Sequence, residues 1–334
     1  MHALAAHFGG QGVTLTNFVM QKERSREEDD LLPCFLPRRR RTFCRARRKM
    51  LKTRTLSANM VHIINARQFL MERVIMMEKT FLLSKGNLEI PCKLSEPEDG
   101  EIRRVVLGVH GIGGSANDAI QTGIAEEMEL FYSATLRFDF PAHGESPMDS
   151  QAFTLQNCCD TLYAVAMEAK ERYPDVEDLC IFASGFGAYV TLVTLQDLLE
   201  LPGRVKLVVQ TPSVRMDETL LAMKGITRET FWALDRVTFR SQRPFDVTYS
   251  FYEELRDNSV MTSYSIPMLI LHGEEDAFIR MADIQQFHRM NERSKLVIIP
   301  GASHRFLEDG AWDMVLDLTR DWFEFEQVLL SDWD

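Results

Sequence analysis

IFASGFGAY, residues 181–189, is the stretch that decides the fold. An apolar run followed by glycines predicts a strand that turns sharply into a helix, the kind of turn that can expose a nucleophile at its apex. Strand and helix crowd such a turn, so small residues are needed two positions before and two positions after the apex. Ala183 and Gly187 meet this need, which makes Gly185 the apex. Glycine has no side chain, so the sequence predicts the shape of the turn without the nucleophile.

A second register of the same turn puts Ser184 at the apex. Its flanking positions would then be Phe182 and Phe186, two benzyl side chains where strand and helix pass closest. We therefore take Gly185 as the apex and keep Ser184 as the alternative nucleophile. Structural interpretations stay open for both residues: Ser184 as a loop hydroxyl that bonds to nearby backbone, and Gly185 as a turn glycine chosen for its positive φ.

Two more segments predict a strand followed by a loop. RVVLGVHGIGG, residues 104–114, is a β-branched run that ends in glycines, which is typical of a buried parallel strand and a tight loop. Backbone N–H groups of such a loop can point into a site and form an oxyanion hole, although a plain strand-to-helix turn also explains the glycines. ATLRFDFPAHGESP, residues 134–147, repeats the arrangement with a proline, a histidine and a glycine in the loop.

Two polar side chains follow the last two predicted strands. IPMLILHGEED, residues 266–276, delivers Asp276, and LVIIPGASH, residues 296–304, delivers His304. Strands that alternate with helices predict a doubly wound, mostly parallel sheet, in which groups at the carboxyl ends of the strands converge on one crevice. Gly185, Asp276 and His304 stand along the chain in the order nucleophile, acid and base.

With these pieces in place, the chain resembles the α/β-hydrolase superfamily, and within it the monoacylglycerol-lipase-like and serine-aminopeptidase-like branch. The resemblance runs from about Glu78 to the C-terminus. It rests on the turn at 181–189 and on four further motifs in matching order: residues 110–113 (HGIG), 139–146 (DFPAHGES), 272–276 (HGEED) and 301–304 (GASH). The expected fold is therefore an α/β-hydrolase fold with a helical lid inserted after the sixth strand.

The resemblance also implies roles for individual residues. Asp276 would orient His304, which would act as general base, and the backbone N–H groups of Ile112 and Phe186 would form the oxyanion hole. Family members carry a serine where this chain has Gly185. The implied activity is hydrolysis of ester or amide bonds in a small, largely apolar substrate. Some branches, such as the N-myc downstream-regulated proteins, lack a working nucleophile, so a catalytically lapsed scaffold that binds a ligand or partner is the alternative.

Without a serine at the apex, two routes to activity remain. Asp276 and His304 could activate water directly, since the oxyanion hole and substrate binding alone retain roughly 10³–10⁴-fold catalysis over water. Another hydroxyl could also assist, and the loop serines at predicted strand ends are Ser115, Ser146, Ser213 and Ser303. Each of them also has a simple structural interpretation. A third reading makes Gly185 an isolated substitution in an active esterase lineage.

The segment after the sixth strand, at about residues 212–265, is the expected lid. Residues 216–223, MDETLLAM, are typical of a helix. The aromatic residues of the segment would either pack against the body or form an apolar wall for a ligand; they are Phe231, Trp232, Phe245, Tyr249, Phe251 and Tyr252.

Charge divides the chain into two parts. The formal net charge is −11 for 334 residues, yet residues 1–76 hold 15 basic and 6 acidic side chains. Residues 77–334, the expected hydrolase domain, then carry 43 acidic against 23 basic side chains, which disfavours nucleic acid and anionic membranes as partners. The blocks of charge in residues 1–76 indicate a disordered extension, or a start codon placed too early, with Met76 or Met77 as the true start. Peptides from residues 1–70 in mass spectra would exclude that second reading.

Other signals concern location and cofactors. No apolar run reaches the roughly 20 residues that a membrane span needs, and the opening residues show no secretory pattern. The six cysteines lack disulfide spacing, which favours a reducing, cytoplasmic setting. No zinc or phosphate-loop motif is present. We therefore expect a small-molecule substrate or ligand, with neither metal nor cofactor.

Overall fold

The computed structural model describes residues 76–98 and 100–331; the predicted extension therefore lies outside the described residues, apart from Met76. The strands in chain order are β1 (Met76–Lys85), β2 (Leu88–Pro97), β3 (Arg104–Val109), β4 (Ser133–Phe138), β5 (Asp178–Ser184), β6 (Arg204–Gln210), β7 (Arg236–Phe239), β8 (Phe245–Thr248), β9 (Met268–Gly273) and β10 (Ser294–Ile299). The helices are α1 (Ala119–Glu129), α2 (Leu155–Arg172), α3 (Phe186–Val193), α4 (Leu195–Leu199), α5 (Met216–Lys224), α6 (Arg228–Leu234), α7 (Tyr249–Asp257), α8 (Met281–Met290) and α9 (Ala311–Ser331).

The main sheet has the strand order β1-β2-β4-β3-β5-β6-β9-β10. β2 is antiparallel to both β1 and β4, and all other neighbours are parallel. The chain enters the parallel part at β3, adds β4 on one side and then β5 on the other. The predicted doubly wound, mostly parallel sheet is thus confirmed, and the reversal opens a crevice at the carboxyl ends of β3 and β5.

Central strands bury side chains on both faces of the sheet. In β5, Leu179 and Ile181 belong to the core shared with α2 and α3, whereas Cys180 and Phe182 belong to the core shared with α1 and α9. This alternation follows from the two-residue period of a strand. Continuous apolar runs such as 105–109 and 179–183 are needed because helices cover both faces of a parallel sheet.

One predicted helix is interrupted. The sequence predicts a helix from Gly187 to about Glu200, but α3 ends at Val193 and α4 starts at Leu195. Thr194, between them, has φ −85° and ψ −2°, and its hydroxyl donates to the carbonyl of Val190 at 2.9 Å. A threonine that bonds back to the preceding turn competes with regular helix geometry, and the apolar spacing of the segment does not reveal this.

Between β6 and β9 the chain forms α5, α6, the antiparallel β7–β8 hairpin and α7. The sequence predicts a helical lid at about 212–265, so the hairpin departs from the prediction, and the role as a lid stays a prediction. Phe231, Phe245 and Phe251 are buried, as the packing interpretation expects, whereas Trp232 on α6 is 69% exposed.

Candidate active site

Gly185 forms the apex of the turn between β5 and α3. Its φ of 51° and ψ of −112° lie outside the regions that L-residues favour. The Gly185 N–H donates to the carbonyl of Gln210 at 3.0 Å, and its own carbonyl accepts the Ser213 N–H at 3.2 Å. The turn is therefore held from β6 and from the loop that follows it.

Phe186 is the first residue of α3, so its N–H has no partner within the helix and points out of the helix start. The glycine-rich loop after β3 lies against this turn, because a Cβ on Gly111 would meet the Ser184 carbonyl oxygen at 3.4 Å. Ile112 follows Gly111 in that loop. The structure thus places the two predicted oxyanion-hole residues in segments that adjoin at the end of β5, and the hole itself stays a prediction.

Ser184, the alternative nucleophile, is the last residue of β5. Its hydroxyl donates to Gln210 Oε1 at 2.9 Å. Phe182 and Phe186, two positions before and after it, are buried in opposite cores. The hydroxyl is therefore engaged with β6, in keeping with the interpretation of Ser184 as a structural hydrogen-bond donor.

Asp276 and His304 form a hydrogen-bonded pair. His304 Nδ1 lies 2.8 Å from Asp276 Oδ2. The other carboxylate oxygen, Oδ1, accepts the N–H groups of Phe278 at 2.8 Å and Ile279 at 3.0 Å. The Asp276 side chain is fully buried, whereas 26% of the His304 side chain is exposed. The acid is thus fixed from three sides and the imidazole reaches solvent.

The charge state of this pair follows from its contacts. Burial alone would raise the pKa of Asp276, but the hydrogen bond and charge of His304 and the two N–H groups lower it below the usual value. An ionised carboxylate only accepts hydrogen bonds, so the His304 proton resides on Nδ1 and the lone pair of Nε2 is available. The pair therefore has the proton arrangement of a general base with its orienting acid.

The strands that carry these residues are neighbours in the sheet. Gly185 follows β5, Asp276 follows β9 and His304 follows β10, with β6 between β5 and β9. All four strands are parallel, so these residues lie at the same edge of the sheet, beside the crevice at β3 and β5.

Known proteins resemble the chain in structure and not in sequence. No protein-family model matches it, and no curated protein matches it at a significant level. Est1E from Butyrivibrio proteoclasticus, with ferulic acid bound, matches with a TM-score of 0.62 at 18% identity, over 75% of this chain and 99% of that one. Alpha/beta hydrolase domain-containing protein 10 from mouse matches with a TM-score of 0.59 at 15% identity, over 74% and 98%. The chain has the α/β-hydrolase fold.

A third solved structure, dienelactone hydrolase from Anabaena variabilis, matches with a TM-score of 0.51 at 19% identity, over 75% of this chain and 97% of that one. At these identities the likeness concerns the fold. The expectation of an α/β-hydrolase fold, drawn from the motifs of the sequence, is thereby confirmed, whereas the finer branch stays a prediction.

The motif DFPAHGES at 139–146 holds two loops of the crevice together. Asp139 Oδ1 accepts the Ala116 N–H at 2.7 Å, and Oδ2 accepts the Glu145 N–H at 2.8 Å. A Cβ on Gly144 would lie 2.3 Å from the Asp139 carboxylate, so that position needs a glycine. The motif therefore acts in the architecture of the loops after β3 and β4.

Two histidines are buried beneath these loops. His110 Nε2 accepts the Phe140 N–H at 3.1 Å and Nδ1 then donates to the Gly111 carbonyl at 2.8 Å. Burial lowers the pKa of His110 to about 4. His143 packs against the rings of Phe153 and Phe245, and burial lowers its pKa to about 3. Both imidazoles are therefore neutral parts of the packing at pH 7.

His272, at the end of β9, is a second imidazole near the acid. Its Nδ1 lies 4.0 Å from Asp276 Oδ2, and burial is the main cause of its lowered pKa. Among the residues that the structure describes, this buried nitrogen has no hydrogen-bond partner. The sequence motif contains His272, but spacing alone does not show that its imidazole lies near Asp276 without a hydrogen bond to it.

The four loop serines have different surroundings. Ser115 Oγ accepts the Asn117 N–H at 3.2 Å, and Ser146 Oγ accepts the Met148 N–H at 3.2 Å, so both stabilise their own turns. Ser303 directly precedes His304 in the chain. Ser213 differs from these three, because its Oγ lies 3.9 Å from the position that a Cβ on Gly185 would take.

The segment between β6 and β9 contacts the glycine-rich loop. A Cβ on Gly113 would meet Ser241 Cβ, in the connection of the β7–β8 hairpin, at 3.3 Å. Arg243 donates to the carbonyl oxygens of Ser146 and Met148, the latter at 2.9 Å. The hairpin is thus fastened beside the crevice.

The described residues contain neither a metal cluster nor a membrane-spanning helix. Within 76–98 and 100–331, no group of three His, Cys, Asp or Glu side chains is placed to hold a metal ion. None of the helices described is both long and apolar enough to cross a membrane. A cleft of about 450 Å³ between α4 and residues 258–265 is lined by none of Gly185, Asp276 and His304.

Proposed function

We propose that this protein hydrolyses ester or amide bonds of a small, largely apolar substrate, with a water molecule in the role of the missing serine. The observation that carries the proposal is the hydrogen-bonded Asp276–His304 pair at 2.8 Å. It lies at the same sheet edge as a turn whose apex, Gly185, has room for a nucleophile and no side chain to supply one.

The reaction follows from the proton arrangement. His304 Nε2 takes a proton from the water while the water oxygen attacks the carbonyl carbon, and Asp276 stabilises the resulting imidazolium. The N–H groups of Ile112 and Phe186 stabilise the negative charge on the carbonyl oxygen. His304 then returns the proton to the departing alcohol or amine, so that ester and water give acid and alcohol, or amide and water give acid and amine.

Two exposed apolar side chains lie near His304 in space or in the chain. The ring of Phe278 packs edge-to-face on the imidazole, with centroids 5.3 Å apart, and is 44% exposed. Leu307, three residues after His304, is 67% exposed. These side chains favour an apolar leaving group, and the structural neighbour Est1E, with ferulic acid bound, makes esters of aromatic acids sensible first substrates.

The proposed branch, location, lid and partners are those expected from the sequence. We place the protein in the monoacylglycerol-lipase-like and serine-aminopeptidase-like branch, in the cytoplasm, with the segment at 212–265 as a lid and small molecules as its partners. The acidic domain supports the exclusion of nucleic acid and membrane surfaces as partners, because phosphate-rich surfaces repel it.

The second candidate is a binding protein on a lapsed hydrolase scaffold. It is favoured by the loss of the hydroxyl at a position with room for one, because Gly185 is not required by crowding. In this case Asp276 and His304 persist as a structural hydrogen-bonded pair, and the crevice holds a ligand that it does not cleave.

The deciding experiment is an ester and aminopeptidase substrate panel on the full chain, run beside His304→Ala and Gly185→Ser. We expect slow hydrolysis that falls by roughly 10²–10⁴-fold in His304→Ala, since general base catalysis is worth about that much. A silent parent that Gly185→Ser activates would support the binding protein. Loss of activity in Ser184→Ala, with Gly185→Ser silent, would show that the register of the turn is wrong.

A further inference from the structure

The hydroxyl of Ser213 borders the space beside Gly185. Apart from Ser184 and Phe186, which adjoin it in the chain, a Cβ on Gly185 would have two neighbours within 4 Å among the described residues: Ser213 Oγ at 3.9 Å and Gly111 Cα at 4.0 Å. The position from which a serine at 185 would attack is therefore bounded by one hydroxyl and by the glycine-rich loop. Ser213 is itself 3% exposed, so its hydroxyl faces the protein interior and this space more than bulk solvent.

The backbone fixes Ser213 at this place. Its N–H donates to the carbonyl of Gly185 at 3.2 Å, which joins the two residues directly. Two residues earlier, the Thr211 N–H donates to the Leu271 carbonyl at 2.7 Å, and the Val214 N–H donates to the Pro212 carbonyl at 2.8 Å. The loop after β6 thus turns sharply and returns to the apex of the neighbouring turn.

The loop after β6 reaches Gly185 through a strained backbone conformation at Thr211. Thr211 has a φ of 42°, in the left-handed region that a β-branched residue rarely adopts. Such a strained conformation persists where the surrounding structure demands it, most often at functional sites. The strain lies at the residue that brings Ser213 beside Gly185, and it is an observation independent of the distance between them.

We propose that Ser213 binds the water that replaces the serine nucleophile; this inference rests on the proposed hydrolase function. The water donates one proton to His304 Nε2 and the other hydrogen bond to Ser213 Oγ, a hydroxyl that can accept two. These two bonds fix the orientation of the water and direct its lone pair at the carbonyl carbon. Ser213 forms no covalent bond, and its hydroxyl proton is unchanged at the end of the cycle.

The kinetic test uses Ser213→Ala in the full chain. One hydrogen bond to the attacking water is worth about 1 kcal/mol or slightly more, so kcat should fall roughly tenfold with KM unchanged. The matched control is Ser133→Ala, which removes another buried serine hydroxyl at the amino end of β4, on the opposite edge of the sheet, and should leave kcat unchanged. An unchanged kcat in Ser213→Ala overturns the inference and leaves the hydrolase proposal intact.

The same substitution in a Gly185→Ser background separates water binding from a merely structural role. The new serine hydroxyl occupies the place of the water and attacks the substrate itself, so Ser213→Ala should then change kcat for acylation by less than about twofold. A structural role would give the same loss in both backgrounds, because independent effects add. Equal losses therefore overturn the inference.

A readout that needs no activity covers the case in which the panel is silent and the hydrolase proposal fails. High-resolution crystal structures of the parent, Ser213→Ala and Gly185→Ser should show an ordered water at hydrogen-bonding distance from Ser213 Oγ in the parent alone. A parent whose density holds no such water, or a water that persists in Ser213→Ala, overturns the inference whatever the kinetics show.

Discussion

Gly185 and Gly187 stand two residues apart in one turn, and the chain uses glycine at the two positions for different reasons. A Cβ on Gly187 would lie 2.4 Å from the His110 carbonyl oxygen and 2.8 Å from that of Val109, closer than atoms pack. A Cβ on Gly185 would lie 3.9 Å from Ser213 Oγ, its nearest neighbour outside the two adjoining residues. Packing dictates the residue at 187, whereas 185 retains space for a side chain. The close approach of strand and helix in this turn therefore requires a glycine at 187, whereas packing leaves the residue at 185 unconstrained.

Adding a methyl group at each position should show the difference in packing directly, with the larger loss of stability at 187. Gly187→Ala should lower the free energy of unfolding by about 4 kcal/mol or more, because the clash is with backbone that cannot move aside. Gly185→Ala should cost only about 1–2 kcal/mol, from its positive φ. Urea unfolding of both variants measures the difference. Equal losses would show that position 185 is as crowded as 187.

Acid should lower the stability of the segment that Gly187 packs against, because this segment contains the buried His110. His110 and His143 have folded pKa values of about 4 and about 3, below the roughly 6.5 of an unfolded histidine. Between the folded and the unfolded pKa, the unfolded state binds more protons than the folded state. The unfolding free energy is therefore highest above about pH 6.5 and falls as the pH is lowered. At pH 5 each histidine should remove about 2 kcal/mol.

Unfolding free energies at pH 7.5 and pH 5 measure this loss. His143→Phe keeps a ring between Phe153 and Phe245 and removes one titrating group, so about half of the loss should disappear. The Nε2 of His143 has no hydrogen-bond partner among the described residues. The substitution also removes the hydrogen bond from Nδ1 to the Pro141 carbonyl at 2.9 Å, a loss that lowers the unfolding free energy equally at both pH values. An identical pH dependence in this variant would contradict the assigned role of burial.

A smaller effect tests the assignment of the two adjacent positions, 184 and 185. Ser184→Ala removes the donor to Gln210 Oε1 and should cost about 1 kcal/mol of unfolding free energy, while leaving any hydrolysis unchanged. Thermal unfolding and the substrate panel, run on the same preparation, give both values. Intact stability combined with abolished hydrolysis would reverse the roles of Ser184 and Gly185.

The smallest effect concerns Thr211, the strained residue of the neighbouring loop. In Thr211→Gly the relief of the left-handed φ and the greater freedom of the unfolded chain oppose each other, so stability should change by less than about 0.5 kcal/mol. The matched Thr135→Gly, in extended and fully buried backbone of β4, should cost about 2 kcal/mol. Similar losses at both positions would mean that Thr211 is not strained.

The sequence predicts the sheet and the order of the site residues because each depends on local pattern. Apolar runs identify β3, β5, β9 and β10, and Thr154 marks the start of α2, where its side chain accepts the Asn157 N–H at 3.1 Å. Asp276 and His304 follow strands, so the crevice at the carboxyl ends of the strands is where they are expected.

Long-range features were not predictable in the same way. The strands of the β7–β8 hairpin are four residues each, and their connection, residues 240–244, has no glycine or asparagine to signal a turn. The approach of Ser213 to Gly185 depends on the positive φ of Thr211, which a β-branched residue does not signal. The proximity of His272 to Asp276 depends on the turn after β9, in which the Asp276 N–H lies 3.3 Å from the Gly273 carbonyl. Each of these is set by tertiary contacts that outweigh local preference.

Tyr189 gives the helix that begins at the turn a mechanical link to the rest of the crevice. Its buried hydroxyl lies 2.8 Å from the Asn258 carbonyl and 3.1 Å from that of Leu255, and burial raises its pKa far above the usual value. The Tyr189 side chain thus connects α3 to the C-terminal end of α7. A displacement of the end of α7 must therefore either break these contacts or move α3 one turn beyond Gly185, so the position of the segment between β6 and β9 is coupled to the geometry of the turn at Gly185.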